Sequence, residues 1–374
     1  MSQYSGRVLD AHSDVVGSLL RPPELLDARE QFERGELAPA GFKRVEDAAV
    51  DDALTLQEEA GMAVVTDGEM RRLSFQSQMT EAVEGFGDWD LDAFLWGEWQ
   101  SGELGELKVE RPPIAVVGKL RRKRFLSAEE FTYARRQTDR VLKVTLPSPS
   151  LFANFWDPQR SSAAYSSLEE FLGDVAEILR EEVDELERLG ATYVQLDAPH
   201  YPLLLDPTYR DFYASRGWPA DRWLELGLEL DNHVYGDRKG MTFAMHLCRG
   251  NQASRWLVEG GYDWLAERLF PRVKAERLML EYDDARSGSF EPLRAVPDGK
   301  TAVLGLVTTK SGRRETVEEL VARIEEASAF CPLERLALSP QCGFATSILG
   351  NDLTVEDQRA KLSTIAETAS VVWK

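Results

Sequence analysis

The stretch TFAMHLCRGN, residues 242–251, decides the fold. It opens with an apolar run typical of a buried strand and closes with polar residues and a glycine, which are typical of a loop. Because side chains alternate along a strand, His246 and Cys248 lie on one face at its carboxyl end. An imidazole and a thiol so placed suit a divalent metal, zinc first. A core cysteine beside a hydrogen-bonded histidine is the competing interpretation, and the charged turn from Arg249 to Asn251 favours the functional one.

Short apolar runs of the same kind recur along the chain and alternate with amphipathic helical stretches. Nearly continuous apolar runs are typical of parallel strands covered on both faces. Polar residues collect where the runs end, as they do at the active sites of barrels, and no glycine-rich phosphate turn follows a run. We therefore predict an α/β fold, a (β/α)8 TIM barrel. The nine runs are Asp14–Leu20, Ala63–Asp67, Ile114–Leu120, Val144–Pro149, Tyr193–Ala198, Phe243–Cys248, Leu278–Asp283, Val303–Thr308 and Leu336–Pro340.

Nine runs are one more than a barrel needs, and Ile114–Leu120 is predicted to be the peripheral one. The region at about 84–112 is acidic, rich in tryptophan and punctuated by glycine. It is predicted to be an insertion beside the barrel mouth, either a lid or a plain surface excursion. The rest is predicted to form a single catalytic barrel over residues 1–374.

Three helix starts stand out between the runs. Ser167 with Glu170 and Thr316 with Glu319 have the spacing of a capping box, in which each side chain bonds the other residue's backbone. Thr354 is predicted to open the last helix.

The net charge and the number of cysteines limit the classes of function that this chain can have. The 374 residues include 44 basic and 64 acidic side chains, a net charge of −20 that argues against nucleic-acid and anionic-membrane partners. An odd, small number of cysteines is no disulfide framework and indicates a reducing compartment. With no signal pattern from Met1 to Asp14 and no long apolar stretch, we predict a cytoplasmic protein. A homo-oligomer is compatible with this sequence.

Two further strand ends add candidate ligands. Cys342 follows an apolar run, and Gly343 after it permits a tight turn that brings the thiol inward. Glu281 ends another run, where an unpaired buried carboxylate is costly, so a metal, an arginine such as Arg286 or a ligand amine is expected beside it. Cys331 has no polar neighbours in sequence and is predicted to be structural.

Carboxylates end two other runs. Glu69 closes VVTDGE (residues 64–69) and Asp197 lies in QLDAPH (residues 195–200). Converging acids recognise an ammonium group and repel phosphate. An ion-paired turn with Arg71 and Arg72 is the alternative for Glu69.

Taken in order, these segments resemble the catalytic barrel of the cobalamin-independent methionine synthase family. The resemblance spans nearly the whole chain, without the duplicated N-terminal barrel of the full-length folate-dependent enzymes. One segment departs from the family pattern, since Ala198 stands where the family has a glutamate. The matching segments are Gly17-Ser18 with Arg21-Pro22, Asp67-Gly68-Glu69, residues 195–199, His246-Leu247-Cys248, Glu281, and residues 340–343.

The resemblance implies a zinc-dependent thiol methyltransferase. Its zinc would activate the thiol of homocysteine or a similar amino thiol, giving methionine or a thioether. Ser18, Glu69 and Asp197 would hold the amino-acid end of that acceptor. Glu281 would be a labile or neutralising ligand. The four implied ligands are His246, Cys248, Glu281 and Cys342.

A second departure concerns the methyl donor. The family has a histidine, thought to assist protonation, in its eighth-strand region, and the matching LVTTK (residues 306–310) has none. Lys310 is the candidate to replace it as a catalytic residue. Folate, a methylcobalamin protein and S-methylmethionine are all open as donors.

Two other functions are weighed against this one. A zinc-dependent epoxyalkane:coenzyme M thiol alkyltransferase would need arginines, such as Arg71, Arg72 or Arg249, in the acceptor pocket. A non-catalytic zinc-binding paralogue would have a closed site of four ligands.

Overall fold

The computed structural model describes residues 10–88, 96–111 and 114–374. Its strands are β1 (Val64–Val65), β2 (Val83–Phe86), β3 (Gly97–Trp99), β4 (Leu107–Val109), β5 (Val116–Arg122), β6 (Val141–Pro147), β7 (Tyr193–Asp197), β8 (Thr242–Leu247), β9 (Arg277–Glu281), β10 (Thr301–Val307) and β11 (Leu336–Pro340). Its α-helices are α1 (Pro23–Glu33), α2 (Pro39–Glu59), α3 (Ser77–Ala82), α4 (Ala128–Ala134), α5 (Leu168–Arg188), α6 (His200–Leu203), α7 (Pro207–Ser215), α8 (Ala220–Tyr235), α9 (Asp263–Leu269), α10 (Val317–Ser328) and α11 (Val355–Val372).

A curled parallel sheet forms the centre of the molecule. Its strands pair in the order β1, β6, β7, β8, β9, β10, β11, and every pair is parallel. The segment ahead of α1 lies between the two outer strands: Ser13 pairs in parallel with Leu338 on β11, and its hydroxyl accepts from Ala63 N at 3.1 Å, just before β1. With this segment in the eighth position, the architecture is the predicted (β/α)8 TIM barrel.

The predicted first strand, Asp14–Leu20, is wrong as a regular strand. Within the described residues, this segment joins the sheet through an isolated bridge at Ser13. The physical reason is that side chains occupy the carbonyl oxygens of residues 15, 16 and 17, which a strand ladder would need. The donors are Lys143, Gln195 at 3.0 Å and Thr66 at 2.6 Å.

The peripheral place of Ile114–Leu120 is confirmed, since β5 pairs antiparallel with β2 outside the barrel sheet. A second antiparallel pair, β3 with β4, lies in the region predicted as an insertion, and Gln100 beyond it pairs with Trp256. Residues 89–95 and 112 of that insertion lie outside the described residues, as do residues 1–9. The insertion and the single-domain division therefore stay predictions.

Polar side chains fill part of the barrel interior. Lys143 on β6 lies 3.0 Å from Asp14, whose other oxygen lies 3.2 Å from Arg277 on β9, and all three side chains are fully buried. Because side chains alternate, Glu281 shares the inward face of Arg277 four residues earlier. The same alternation carries polar groups from the barrel interior to the carboxyl ends of its strands.

The helix starts are partly as predicted. Thr316 and Thr354 both complete capping boxes at the starts of α10 and α11. Ser167 caps α5, but the reciprocal bond is wrong: the Glu170 carboxylate accepts from Ser166 N at 2.8 Å instead. In the described part of the chain, no helix combines the length and the apolar character needed to cross a membrane.

Candidate metal centre

Three buried side chains meet at the carboxyl end of the barrel. The nitrogen of His246 and the sulfurs of Cys248 and Cys342 all lie within 4.8 Å of one another. His246 is the next-to-last residue of β8, and Cys248 directly follows the strand. The turn after β11 brings Cys342 to them. The strand ends therefore assemble three of the four predicted ligands.

The two cysteine side chains are hydrogen-bonded to each other. A hydrogen bond from Cys342 lowers the pKa of the Cys248 thiol to about 7, against the burial that raises it. The same contact, together with burial, raises the pKa of Cys342 well above its ordinary value. Two thiols at this distance can both bind one divalent cation, which would displace their protons.

The imidazole of His246 is held in one orientation. Its Nδ1 lies 3.0 Å from Asp197 Oδ1, and its Nε2 lies 3.4 Å from the Gln341 carbonyl oxygen. Asp197 is itself held, since the Gln195 amide donates to the same oxygen at 2.8 Å. A carboxylate on one ring nitrogen is the arrangement that orients a metal-binding histidine. Burial lowers the pKa of His246, but Cys248 and Asp197 together raise it by more, so the pKa of His246 lies above its ordinary value.

Glu281 lies beside the cysteines but is engaged by other partners. Its Oε1 lies 3.1 Å from Lys310 Nζ, and its Oε2 accepts from the Arg249 backbone at 2.7 Å. Burial raises the pKa of Glu281, yet Lys310, Arg249 and Arg286 bring it below its ordinary value. Lys310 also lies 3.6 Å from Asp283. The ligand role of Glu281 and the catalytic role of Lys310 stay predictions.

A cavity of about 960 Å³, including its open mouth, leads to these side chains. Ser18, Glu69 and Asp197 all border it, as do the three metal-site residues. Glu69 Oε1 accepts from the Thr145 hydroxyl at 2.7 Å, whereas its buried Oε2 has no partner among the described residues. Three predicted substrate residues thus lie around one space, and their binding role stays a prediction.

No lysine or arginine borders the cavity among the described residues. Arg71 pairs with Asp47 at 2.5 Å and Arg72 pairs with Glu130 at 3.1 Å. Arg72 also lies 3.7 Å from Glu69 Oε1, so the ion pair predicted as the alternative for Glu69 is formed with Arg72. The Arg249 guanidinium donates to carbonyl oxygens of the surrounding loops, such as that of Gly260. None of these three arginines, considered for a sulfonate acceptor, is among the described cavity residues.

The outer wall of the cavity is apolar and aromatic. Trp96 packs on Tyr209 with ring centroids 5.2 Å apart, and Trp99 on β3 is buried beside them. Leu203 and Leu257 complete this wall. An apolar wall over a polar floor excludes water from the thiols and strengthens electrostatic interactions there.

Sequence reasoning gave no role to His200, which also borders the cavity and is fully buried. The signal was its place in LDAPH, three residues after Asp197 at the same strand end. Gln195 was missed for a different reason: its contacts with Lys143 and Asp197 join distant segments.

The donor set fits zinc. Two cysteine sulfurs and one imidazole nitrogen are ligands that zinc prefers, and all three residues are buried within one ion's reach of each other. The Asp197 carboxylate behind the imidazole is also a feature of metal-binding sites.

Comparison with known proteins agrees with this geometry. The family model described as "Cobalamin-independent synthase, Catalytic domain" matches residues 12–369. The protein YxjG of Bacillus subtilis (strain 168) is 34% identical over 366 residues, covering 97% of this chain and 94% of its own. The methionine synthase of Pyrococcus abyssi is 28% identical over 333 residues, covering 88% and 85%.

A solved structure extends the comparison to the fold. The B12-independent methionine synthase from Shewanella sp. W3-18-1 superposes with a TM-score of 0.70, covering 98% of each chain at 22% identity. At that identity the likeness concerns the fold, and it agrees with the barrel described above.

Proposed function

This chain belongs to the cobalamin-independent methionine synthase family, and on that premise we propose that it is a zinc-dependent S-methyltransferase. Its acceptor is homocysteine or a similar amino thiol, and its product is methionine or the corresponding thioether. One observation carries the proposal: the donor atoms of His246, Cys248 and Cys342 lie within 4.8 Å of one another in a cavity that two carboxylates also border.

Zinc would be held by these three residues, with Glu281 as the fourth ligand. A bound zinc ion lowers the pKa of a thiol in its open position and leaves a thiolate that is nucleophilic at neutral pH. The Asp197 carboxylate orients the His246 ring for that task. Lys310 lies 3.1 Å from Glu281 and would neutralise the carboxylate when it is not bound to zinc, so Glu281 would be the labile ligand.

The amino-acid end of the acceptor lies between Ser18, Glu69 and Asp197. Glu69 Oε2 is buried and has no hydrogen-bond partner in the part of the chain that the structure describes, so an incoming ammonium group would satisfy an oxygen whose isolation is costly. Burial raises the pKa of Glu69 and Asp197 raises it further, against the opposing effect of Arg72. An ammonium between the two acids would favour both ionised forms.

The described lining disfavours the coenzyme M alternative, because a sulfonate beside two acids, with no lysine or arginine in the lining, would be repelled. The non-catalytic alternative requires a closed site of four ligands. Here the Glu281 oxygens have partners in Lys310 and Arg249, which favours a position that a thiol can enter.

The methyl donor is left to experiment among folate, a methylcobalamin protein and S-methylmethionine. Free thiols at Cys248 and Cys342 must stay reduced to bind zinc, so we place the protein in the cytoplasm.

A donor screen tests the proposal. Purified protein, its zinc measured by mass spectrometry, is incubated with homocysteine and each donor in turn, and methionine is quantified. Bound zinc with methionine formed from one donor is the expected result. Zinc-loaded protein whose zinc–sulfur coordination does not change on adding homocysteine, followed by X-ray absorption, would contradict the thiol-acceptor assignment.

A further inference from the structure

A second histidine borders the cavity without belonging to the metal centre. His200 begins α6, directly after the loop from β7, and its side chain is fully buried. Its Nε2 lies 2.7 Å from Ser150 Oγ, and its Nδ1 has no hydrogen-bond partner among the described residues. An imidazole that borders a ligand cavity and has one nitrogen without a partner among the described residues can hydrogen-bond a ligand that enters the cavity.

The Ser150 hydroxyl continues into a buried hydrogen-bonded chain. Its Oγ lies 3.3 Å from Ser148 Oγ, which donates to Asp231 Oδ1 at 2.7 Å. Tyr201 donates to the other oxygen of that carboxyl at 2.5 Å. These hydrogen bonds connect Asp231 on α8, the two serines after β6 and His200 at the cavity. Each of these groups can both donate and accept a proton.

Two protonation patterns satisfy this chain. With Asp231 ionised, each hydroxyl donates toward the carboxylate, so His200 donates from Nε2 and its Nδ1 is bare. With Asp231 protonated on Oδ1, the bonds from Asp231 through the two serines to His200 reverse, so Ser150 donates to Nε2 and His200 carries its proton on Nδ1; Tyr201 still donates to Oδ2. The protonation of Asp231 therefore sets the tautomer of His200, that is, whether its Nδ1 carries a proton.

We propose that His200 is a further catalytic residue, which delivers a proton to the atom of the methyl donor that loses its methyl group. This inference rests on the proposed methyl transfer. The proton comes from Asp231 through the two serines, and the relay is separate from the metal centre.

Methyl transfer is accompanied by proton transfer along this hydrogen-bonded chain. The thiolate sulfur forms the bond to the methyl carbon, the bond between that carbon and the leaving atom breaks, and its electron pair stays on the leaving atom. That atom takes the Nδ1 proton of His200. Nε2 then takes the hydroxyl proton of Ser150, Ser150 takes that of Ser148, and Ser148 takes the proton of Asp231. Asp231 ends as a carboxylate, and a proton from water restores it.

Such a relay suits a donor whose leaving atom needs a proton, such as the nitrogen of an N-methyl amine. A sulfonium donor leaves as a neutral sulfide and needs none. Lys310, the candidate for this task from the sequence, is held between Glu281 and Asp283 and is not among the described cavity residues. His200 is therefore the better placed proton carrier.

The electrostatics agree with the two patterns. Burial lowers the pKa of His200 to about 3, so the ring stays neutral and carries a single ring proton. Burial raises the pKa of Asp231 to about 7, with Tyr201 and Ser148 lowering it only in part. Among the described residues, the Tyr201 and Tyr235 phenols are the titratable groups that interact with this carboxyl, and it raises the pKa of both. Both protonation patterns are thus populated near neutral pH.

Nitrogen NMR of the protein labelled at histidine tests the relay without any turnover. The chain has four histidines, and His200→Asn identifies the signal of interest. We expect His200 to carry its proton on Nδ1 at pH about 5 and on Nε2 at pH about 9. Ser150→Ala and Asp231→Asn should abolish the switch, while His233→Asn, an exposed change on the same helix as Asp231, should leave it intact. A tautomer that does not change with pH in the wild-type protein overturns the proposal.

Kinetics then place the relay in the reaction. With homocysteine and 5-methyltetrahydrofolate, Ser150→Ala and His200→Asn should lower kcat by about 10²-fold or more, the usual contribution of a positioned acid. With S-methylmethionine the loss should be at least about tenfold smaller, because the leaving sulfide needs no proton. Equal losses with both donors would overturn the role, and zinc content should stay that of the wild type. If the wild-type protein forms no methionine from any donor, the methyltransferase proposal fails, whereas the tautomer result still judges the relay.

Discussion

Asp197 Oδ1 lies 3.0 Å from His246 Nδ1, and the two residues are register partners on adjacent strands β7 and β8. The pairing of two strands thus sets the orientation of a metal-binding ring. With Nδ1 held by the carboxylate, Nε2 is the ring nitrogen left for a metal, and its contact with the Gln341 carbonyl is long at 3.4 Å.

Asp197→Asn should weaken zinc binding by about 10- to 100-fold, because the amide orients the ring less firmly and donates no negative charge to it. Competition with a zinc chelator, read as retained zinc per protein, measures the change. Asp211→Asn, an exposed change on α7, is the matched control and should retain zinc like the wild type. Unchanged affinity in Asp197→Asn would rule out the orienting role.

Cys342→Ser should lose most of its zinc, because a hydroxyl is a poor substitute for a thiolate ligand. Cys331→Ser is the control, since this thiol is buried in the core away from the metal site and its pKa is raised by burial. Both variants are measured by metal analysis after dialysis. Equal zinc in the two would contradict the assignment of Cys342.

Glu69→Gln should raise KM for homocysteine by about 10-fold or more, because a hydrogen-bonding site that loses its charge leaves the ammonium poorly paired. The same substitution should change KM far less for 4-mercaptobutyrate, a thiol of similar length without the amine. Steady-state kinetics with both thiols decide the matter. A similar increase for both would show that Glu69 acts on the fold and not on the amine.

Gly343→Ala should displace Ser18 from the acceptor site. A Cβ atom at Gly343 would lie 2.0 Å from Ser18 Oγ, so the serine side chain must move. Displacement of a positioning group by about 1 Å costs on the order of 10²-fold in kcat/KM, and zinc content should be retained. Gly173→Ala on α5, where no atom lies within 4 Å, should keep full activity and raise stability by about 0.5–1 kcal/mol. Full activity in Gly343→Ala would remove Ser18 from the site.

Asp231 makes stability depend on pH. Burial raises its pKa from an ordinary 3.8 to about 7, so the folded protein holds a proton that the unfolded chain has already lost in that interval. The free energy of unfolding should therefore fall as pH rises from about 4 to about 7, by up to about 1.4 kcal/mol for each pH unit. Asp231→Asn should flatten this slope in chemical denaturation curves. An unaltered slope would show that Asp231 is not the titrating group.

The sequence by itself determined which residues stand at strand ends and which face they share. Alternation placed His246 and Cys248 on one side of β8 before any contact was known. The count of nine apolar runs for eight barrel positions predicted one peripheral strand, and the choice of Ile114–Leu120 is confirmed. These are local properties of the chain, carried by residues a few positions apart.

The tertiary structure decided what the strand ends meet. Glu281 lies against Lys310, and the segment after Ser13 is not a regular strand, because distant side chains occupy its carbonyl oxygens. The role proposed for His200 depends on its hydrogen-bonded connection to Ser150 and Asp231, which lie on other elements of the fold. Such contacts depend on how the strands close into a barrel, and a one-dimensional pattern holds no distance between residues that are far apart in the chain.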